Sequence, residues 1–118
     1  MKAKSSVAVV YLARKSNGVA SWQSFLDSYT NLSAGIGHQL VIVYKGFEGD
    51  GAGLMLAQKL FSEVESGAIF VTDQCLDIGA YLQAAHQIDS HYVCFLNTHS
   101  VINGPNWLLF LTNAISVP

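Results

Sequence analysis

Val7-Ala8-Val9-Val10-Tyr11-Leu12-Ala13, running directly into Arg14-Lys15-Ser16-Asn17-Gly18, is the stretch on which the fold turns. The apolar run is short, rich in β-branched residues, and has no polar alternation. A run of that kind reads as a strand buried on both faces, at the centre of a parallel sheet with helices above and below. The polar cluster marks where the strand ends. Three more runs repeat the pattern: residues 40–44 into Lys45-Gly46, residues 68–71 into Thr72-Asp73, and Tyr92–Leu96 into Asn97-Thr98-His99-Ser100.

Stretches with helical spacing lie between the runs. Ser21 is placed to cap a helix carrying Trp22, Phe25, Leu26 and Tyr29 at i, i+3, i+4 and i+7. Gly35 and Gly37 close that unit, and Gln39–Lys45 is the second strand. Residues 46–53 hold four glycines and read as a loop. Leu54, Ala57, Leu60, Phe61 and Val64 form a second stripe, ended by Gly67. Asp77 is a candidate N-cap for a third helix carrying Ile78, Tyr81, Leu82 and Ala85. Pro105 suits the first turn of a last helix over 106–115. The alternation predicts an α/β fold, a three-layer sandwich around a mainly parallel four-stranded sheet. Right-handed crossovers give the spatial order 3-2-1-4.

The last helix departs from the pattern, because Trp107, Leu108, Leu109, Phe110 and Leu111 are apolar in succession. A helix with no polar face is normally covered on all sides. The expectation is a homodimer through this C-terminal helix. The alternative is a helix lying flat on the sheet, with Phe110 filling a gap beside Gly79 and Ala80.

The chain has 118 residues, 51% hydrophobic and 12% charged, against about 25% charged in an average soluble domain. It reads as a single domain over residues 1–118, with a surface short of charge. Net charge is −2 with no basic stripe, which argues against a nucleic-acid partner. No apolar run approaches the ~20 residues of a membrane span. Met1-Lys2-Ala3-Lys4 before an apolar run imitates a signal peptide, but Arg14-Lys15 follows immediately and the run reads as a strand. Cys75 and Cys94 form no CxxC pair; Cys94 reads as core, and a reducing, cytoplasmic setting is expected.

In open α/β sheets, ligands bind outside the carboxyl ends of the strands. Arg14, Lys15 and Lys45 lie just past such ends and can meet an anion such as a diphosphate, or stand as solvated loop charges. Asp73 follows the third strand, where a carboxylate commonly grips a base or a ribose hydroxyl. Asp77 is a ligand contact or simply a cap. Asn97-Thr98-His99-Ser100 is the sharpest cluster. His99 is the candidate metal or phosphate ligand, with Asn97 offering a carbonyl oxygen; Mn²⁺ and Mg²⁺ are the candidate cations. The other reading is a turn held by Asn, Thr and Ser side chains. No phosphate loop, GxGxxG or GxSxG elbow is present.

The order of these pieces resembles the N-terminal, nucleotide-sugar-binding half of GT-A glycosyltransferases, most like the family 2 inverting enzymes. The matching segments are residues 7–13, 22–29, 40–46, 71–73, 76–82 and 95–100. The resemblance implies a Rossmann-like half of a GT-A fold that binds a nucleotide diphosphate or its sugar, with hexosyl transfer as the associated activity. It places the base-contacting acid on Asp73. It places the metal-holding Asp-x-Asp where this chain has Asn97-Thr98-His99, so both carboxylates are missing. The catalytic base and acceptor site belong to the half beyond Pro118, which implies donor binding without transfer. Two other readings stand beside it: a non-catalytic binding or oligomerisation module that keeps the fold, and a flavodoxin-like regulatory domain, which lacks its expected acids after the first strand.

Overall fold

The computed structural model describes residues 7–116, with nothing described of the Ser116 side chain; the basic start with Lys2 and Lys4, and the terminal Pro118, lie outside the described residues. Its elements are β1 (Val7–Arg14), a 3-10 turn (Lys15–Asn17), α1 (Gly18–Asn31), β2 (Gln39–Lys45), α2 (Gly51–Phe61), β3 (Gly67–Val71), α3 (Asp77–Gln87), β4 (Tyr92–Leu96) and α4 (Trp107–Ser116). The four strands form one all-parallel sheet in the order 3-2-1-4, a Rossmann-like α/β fold.

β1 is central because its sequence leaves it no exposed face. From Val7 to Ala13 no side chain is more than 2% exposed. One face, carrying Val7, Val9, Tyr11 and Ala13 with Leu40, Ile42 and Tyr44 of β2, packs under Trp22, Phe25 and Leu26 of α1 and Ala57 and Phe61 of α2. The other, carrying Val10, Leu12, Val41, Val43, Ile69 and Val71, packs under Ala80 and Ala84 of α3. Two crossovers in one direction put α1 and α2 on the same face; the reversal from β3 to β4 puts α3 on the other. Each large side chain buried this way contributes roughly 1.5–3 kcal/mol. At the centre, the Tyr11 and Phe25 rings stack with centroids 3.9 Å apart.

Several sequence expectations give way to local geometry. α1 begins at Gly18, so Ser21 lies inside the helix rather than capping it; Asn17 is the N-cap residue and makes no side-chain cap bond. α2 begins at Gly51, inside the expected glycine loop, because Asp50 caps it by accepting from the Gly53 N–H at 2.9 Å. Leu76, not Asp77, is the N-cap residue of α3. The buried stripe of α3 is Ala80 and Ala84, with Tyr81 and Ile88 beside them, whereas Ile78 is 71% and Leu82 60% exposed. Small residues win that face because α3 lies close against β1 and β2. Cys94 is half-buried rather than core, since β4 is an edge strand.

α4 is tied at its start to the segment that follows α1. The Asn106 N–H donates to Ser33 O at 2.7 Å and the Leu109 N–H to Ala34 O at 3.0 Å. Leu108 and Thr112 are buried, while Phe110, Leu111 and Ile115 face outward, each more than half exposed. Leu108 joins the core on the α1 face. Phe110 therefore fills no gap at Gly79 and Ala80, which belong to α3 on the opposite face; Cys75 Sγ already crowds Gly79. Among the described residues, no helix is long and apolar enough to cross a membrane.

Candidate functional site

Parallel strands bring every strand-ending cluster to one rim. From β3 towards β4 the rim carries Asp73, Gly46, Arg14 and then Asn97-Thr98-His99. The backbone N–H of Gly46 donates to Val71 O, which ties the β2 and β3 exits together. Gly46 has φ +89°, and a Cβ there would crowd the Asp73 carboxylate. Its missing side chain lets Asp73 reach across β2 to the end of β1. Arg14 Nε then donates to Asp73 Oδ1 at 3.3 Å, and the Asp73 N–H donates to Glu48 Oε2 at 3.0 Å.

The other two cations are also paired. Lys45 Nζ lies 3.1 Å from Asp77 Oδ1, with the lysine side chain 3% exposed and the aspartate 54%. This pair pins the start of α3 to the end of β2. Lys15 Nζ lies 2.9 Å from Asp50 Oδ2. Lys15, with the Gly53 N–H, holds the Asp50 carboxyl below its usual pKa. Arg14, Lys15 and Lys45 each have a carboxylate partner, with the Arg14 and Lys15 side chains still partly in solvent and Lys45 buried.

Thr98 anchors the β4 exit and was not singled out by its sequence. It is 2% exposed. Its hydroxyl donates to Leu12 O at 2.6 Å and accepts from the Arg14 N–H at 3.4 Å, and its carbonyl accepts from Tyr11 OH at 2.6 Å. A buried hydroxyl with partners on both sides is characteristic of a structural anchor. The one available signal was its place inside a polar cluster at a strand end. Burial also pushes the Tyr11 hydroxyl well above its ordinary pKa.

Asn97 closes its own turn. Its Oδ1 accepts from the His99 N–H and the Ser100 hydroxyl, both at 3.1 Å. The His99 ring meets Asn17 Nδ2 at 2.9 Å through Nε2 and Ser21 Oγ at 3.5 Å through Nδ1. Ser16 Oγ donates to Asn17 Oδ1, which leaves the Asn17 amide nitrogen as donor to Nε2. Both ring nitrogens of His99 are thus held by side chains at the start of α1. A cleft of about 260 Å³ opens beside the ring, lined by Ala20, Ser21, Ser24, His99 and Val101.

This set does not fit Mg²⁺ or Mn²⁺, which favour carboxylate and water oxygens. Among the described residues no group of three or more His, Cys, Asp or Glu side chains comes together, and the Asn97 oxygen is committed to its turn. The rim thus brings Arg14, Asp73, Asn97 and His99 along one edge, with Lys45 and Asp77 beneath them as a structural pin.

Comparison with protein-family models, with curated proteins and with solved structures returns no match for this chain.

Proposed function

We propose that the chain binds a nucleotide diphosphate or its sugar along this rim, as the donor-binding half of a GT-A-like glycosyltransferase domain. The observation that carries the reading is the position of the cleft. Its walls are the first turns of α1, which follows β1, and His99 and Val101, which follow β4. It lies at the carboxyl ends of the neighbouring parallel strands β1 and β4, the end of an open α/β sheet at which ligands are taken.

In this reading Asp73 accepts hydrogen bonds from the base or ribose. The phosphates lie towards His99 and the start of α1, whose N–H groups have no side-chain cap. Arg14 lies between and exchanges part of its pairing with Asp73 for a phosphate oxygen. Phosphate charge is met by these groups. Calorimetric titration with a panel of nucleoside diphosphates and their sugars tests this, with inorganic diphosphate as control. Asp73→Ala should weaken the nucleotide by the ~1.5–3 kcal/mol of a hydrogen bond to a charged group, yet leave inorganic diphosphate no weaker. Silence at millimolar ligand rejects the reading.

A second reading is a non-catalytic binding or oligomerisation module that keeps the fold. Two observations favour it: every rim cation already has a carboxylate partner, and α4 shows Phe110, Leu111 and Ile115 to solvent. A homodimer through α4 is the form it takes, with a twofold pair as the commonest closed arrangement.

A further inference from the structure

β4 is a sheet edge without the usual protection. Among the described residues its backbone pairs with β1 alone, in unbroken register from Val7↔Tyr92 to Tyr11↔Leu96. An open edge presents a row of unpaired N–H and C=O groups, and monomers normally block it with charge, proline, a bulge or a covering element. Tyr92-Val93-Cys94-Phe95-Leu96 has no charge, no proline and no bulge. All five side chains are apolar or aromatic, and none is fully buried. Such an edge calls for another extended strand.

The opposite edge shows which strand can serve. Antiparallel self-pairing of β3 (Gly67–Val71), centred on Ile69, pairs Gly67 with Val71 and Ala68 with Phe70, so each of those pairs holds a small residue with little to pack, and the chain just beyond the strand brings Asp73 of one copy towards Glu65 of the other. The same operation on β4, centred on Cys94, sets Tyr92 against Leu96, Val93 against Phe95 and His91 against Asn97. No like charges meet, large apolar side chains face one another on both sides of the sheet, and all five residues pair. β4 offers a large apolar side chain on both sides of its flanking pairs, and β3 does not.

We propose that two copies of the chain join β4 to β4, antiparallel about a twofold axis through Cys94, to make one continuous sheet from the four strands of each copy. The contact is isologous and closes on itself. It uses a different surface from α4 and stands independently of the nucleotide reading. It also places the two Cys94 residues directly opposite, with Cα atoms about 4.5–5.5 Å apart. That falls within the roughly 4.4–6.8 Å that a disulfide spans. Burial pushes the Cys94 thiol above its ordinary pKa, which lowers its thiolate fraction and slows its oxidation.

The test uses the full chain carrying Cys75→Ser, which leaves Cys94 as its only cysteine. Sedimentation at micromolar concentration should report a dimer. Copper(II)–phenanthroline should link it through Cys94; the two thiols give two electrons to copper and two protons to solvent. The link should form in native buffer and vanish in denaturant. Phe95→Lys, checked for folding by circular dichroism, should raise the dimer dissociation constant at least about tenfold. If that variant fails to fold, the Cys94 link alone decides. A monomer overturns the proposal. So does a dimer that forms no native Cys94 link, or one lost with Phe110→Glu but kept with Phe95→Lys.

Discussion

The Lys45 ammonium, 3% exposed at the end of β2, lies 3.1 Å from a carboxylate oxygen of Asp77 in the first turn of α3. One bond thus joins the central sheet to α3, the helix that packs on its second face. The lysine depends on the aspartate more than the reverse, because Asp77 is half in water. Asp77→Ala should lower unfolding free energy by about 1–3 kcal/mol in urea titration, as expected when a buried charged donor loses its acceptor. Lys45→Met, which removes the buried charge and keeps the volume, should cost less. Equal stability of Asp77→Ala and the parent would show that water serves the ammonium as well.

Thr98 should matter for stability more than its neighbours in the cluster. Thr98→Val leaves Leu12 O without its donor and Arg14 N–H without its acceptor. The expected loss is about 1–3 kcal/mol. Thr98→Ser should recover most of it, and denaturant melts of the two variants make the comparison.

Gly35 sets the seat of α4. It has φ +83°, and a Cβ there would lie 2.9 Å from the Asn106 Cα. Gly35→Ala combines left-handed strain with a backbone clash and should cost roughly 1–3 kcal/mol. It should also expose Leu108, readable as greater binding of a hydrophobic dye.

Alkaline stability follows from Tyr44, whose hydroxyl is pushed up to about 12 by burial. The folded state holds this proton where the unfolded chain, with an ordinary tyrosine near 10, releases it. Stability is therefore complete below about pH 10 and falls as pH rises through the folded value. Thermal melts between pH 9 and 12 should show the decline, and Tyr44→Phe should make it shallower.

The strands were legible because burial on both faces leaves no polar alternation, and β1 shows this in seven consecutive residues. The sheet order followed from connection handedness. Helix starts were less legible: Asp50 and Asp77 look alike in sequence, yet one caps its helix and the other pairs with a lysine 32 residues away. The stripe of α3 was misread because Ile78 and Leu82 outrank Ala80 and Ala84 in hydrophobicity, while the close approach to β1 and β2 selects small residues. At the rim, the strand ends placed Arg14, Asp73, Asn97 and His99 on one edge. Their partners, Glu48, Asn17 and Ser21, come from loops and helix starts whose paths no local pattern announces.

Amide chemical-shift mapping of the full chain against a panel of nucleoside diphosphates and their sugars tests the rim site most directly. The account predicts saturable shifts at Ala20, Ser21, Gly46, Asp73 and His99, with Gln39 and Gly67 at the far end of the sheet unmoved. No shift at millimolar ligand, or shifts confined to the far end, would contradict it.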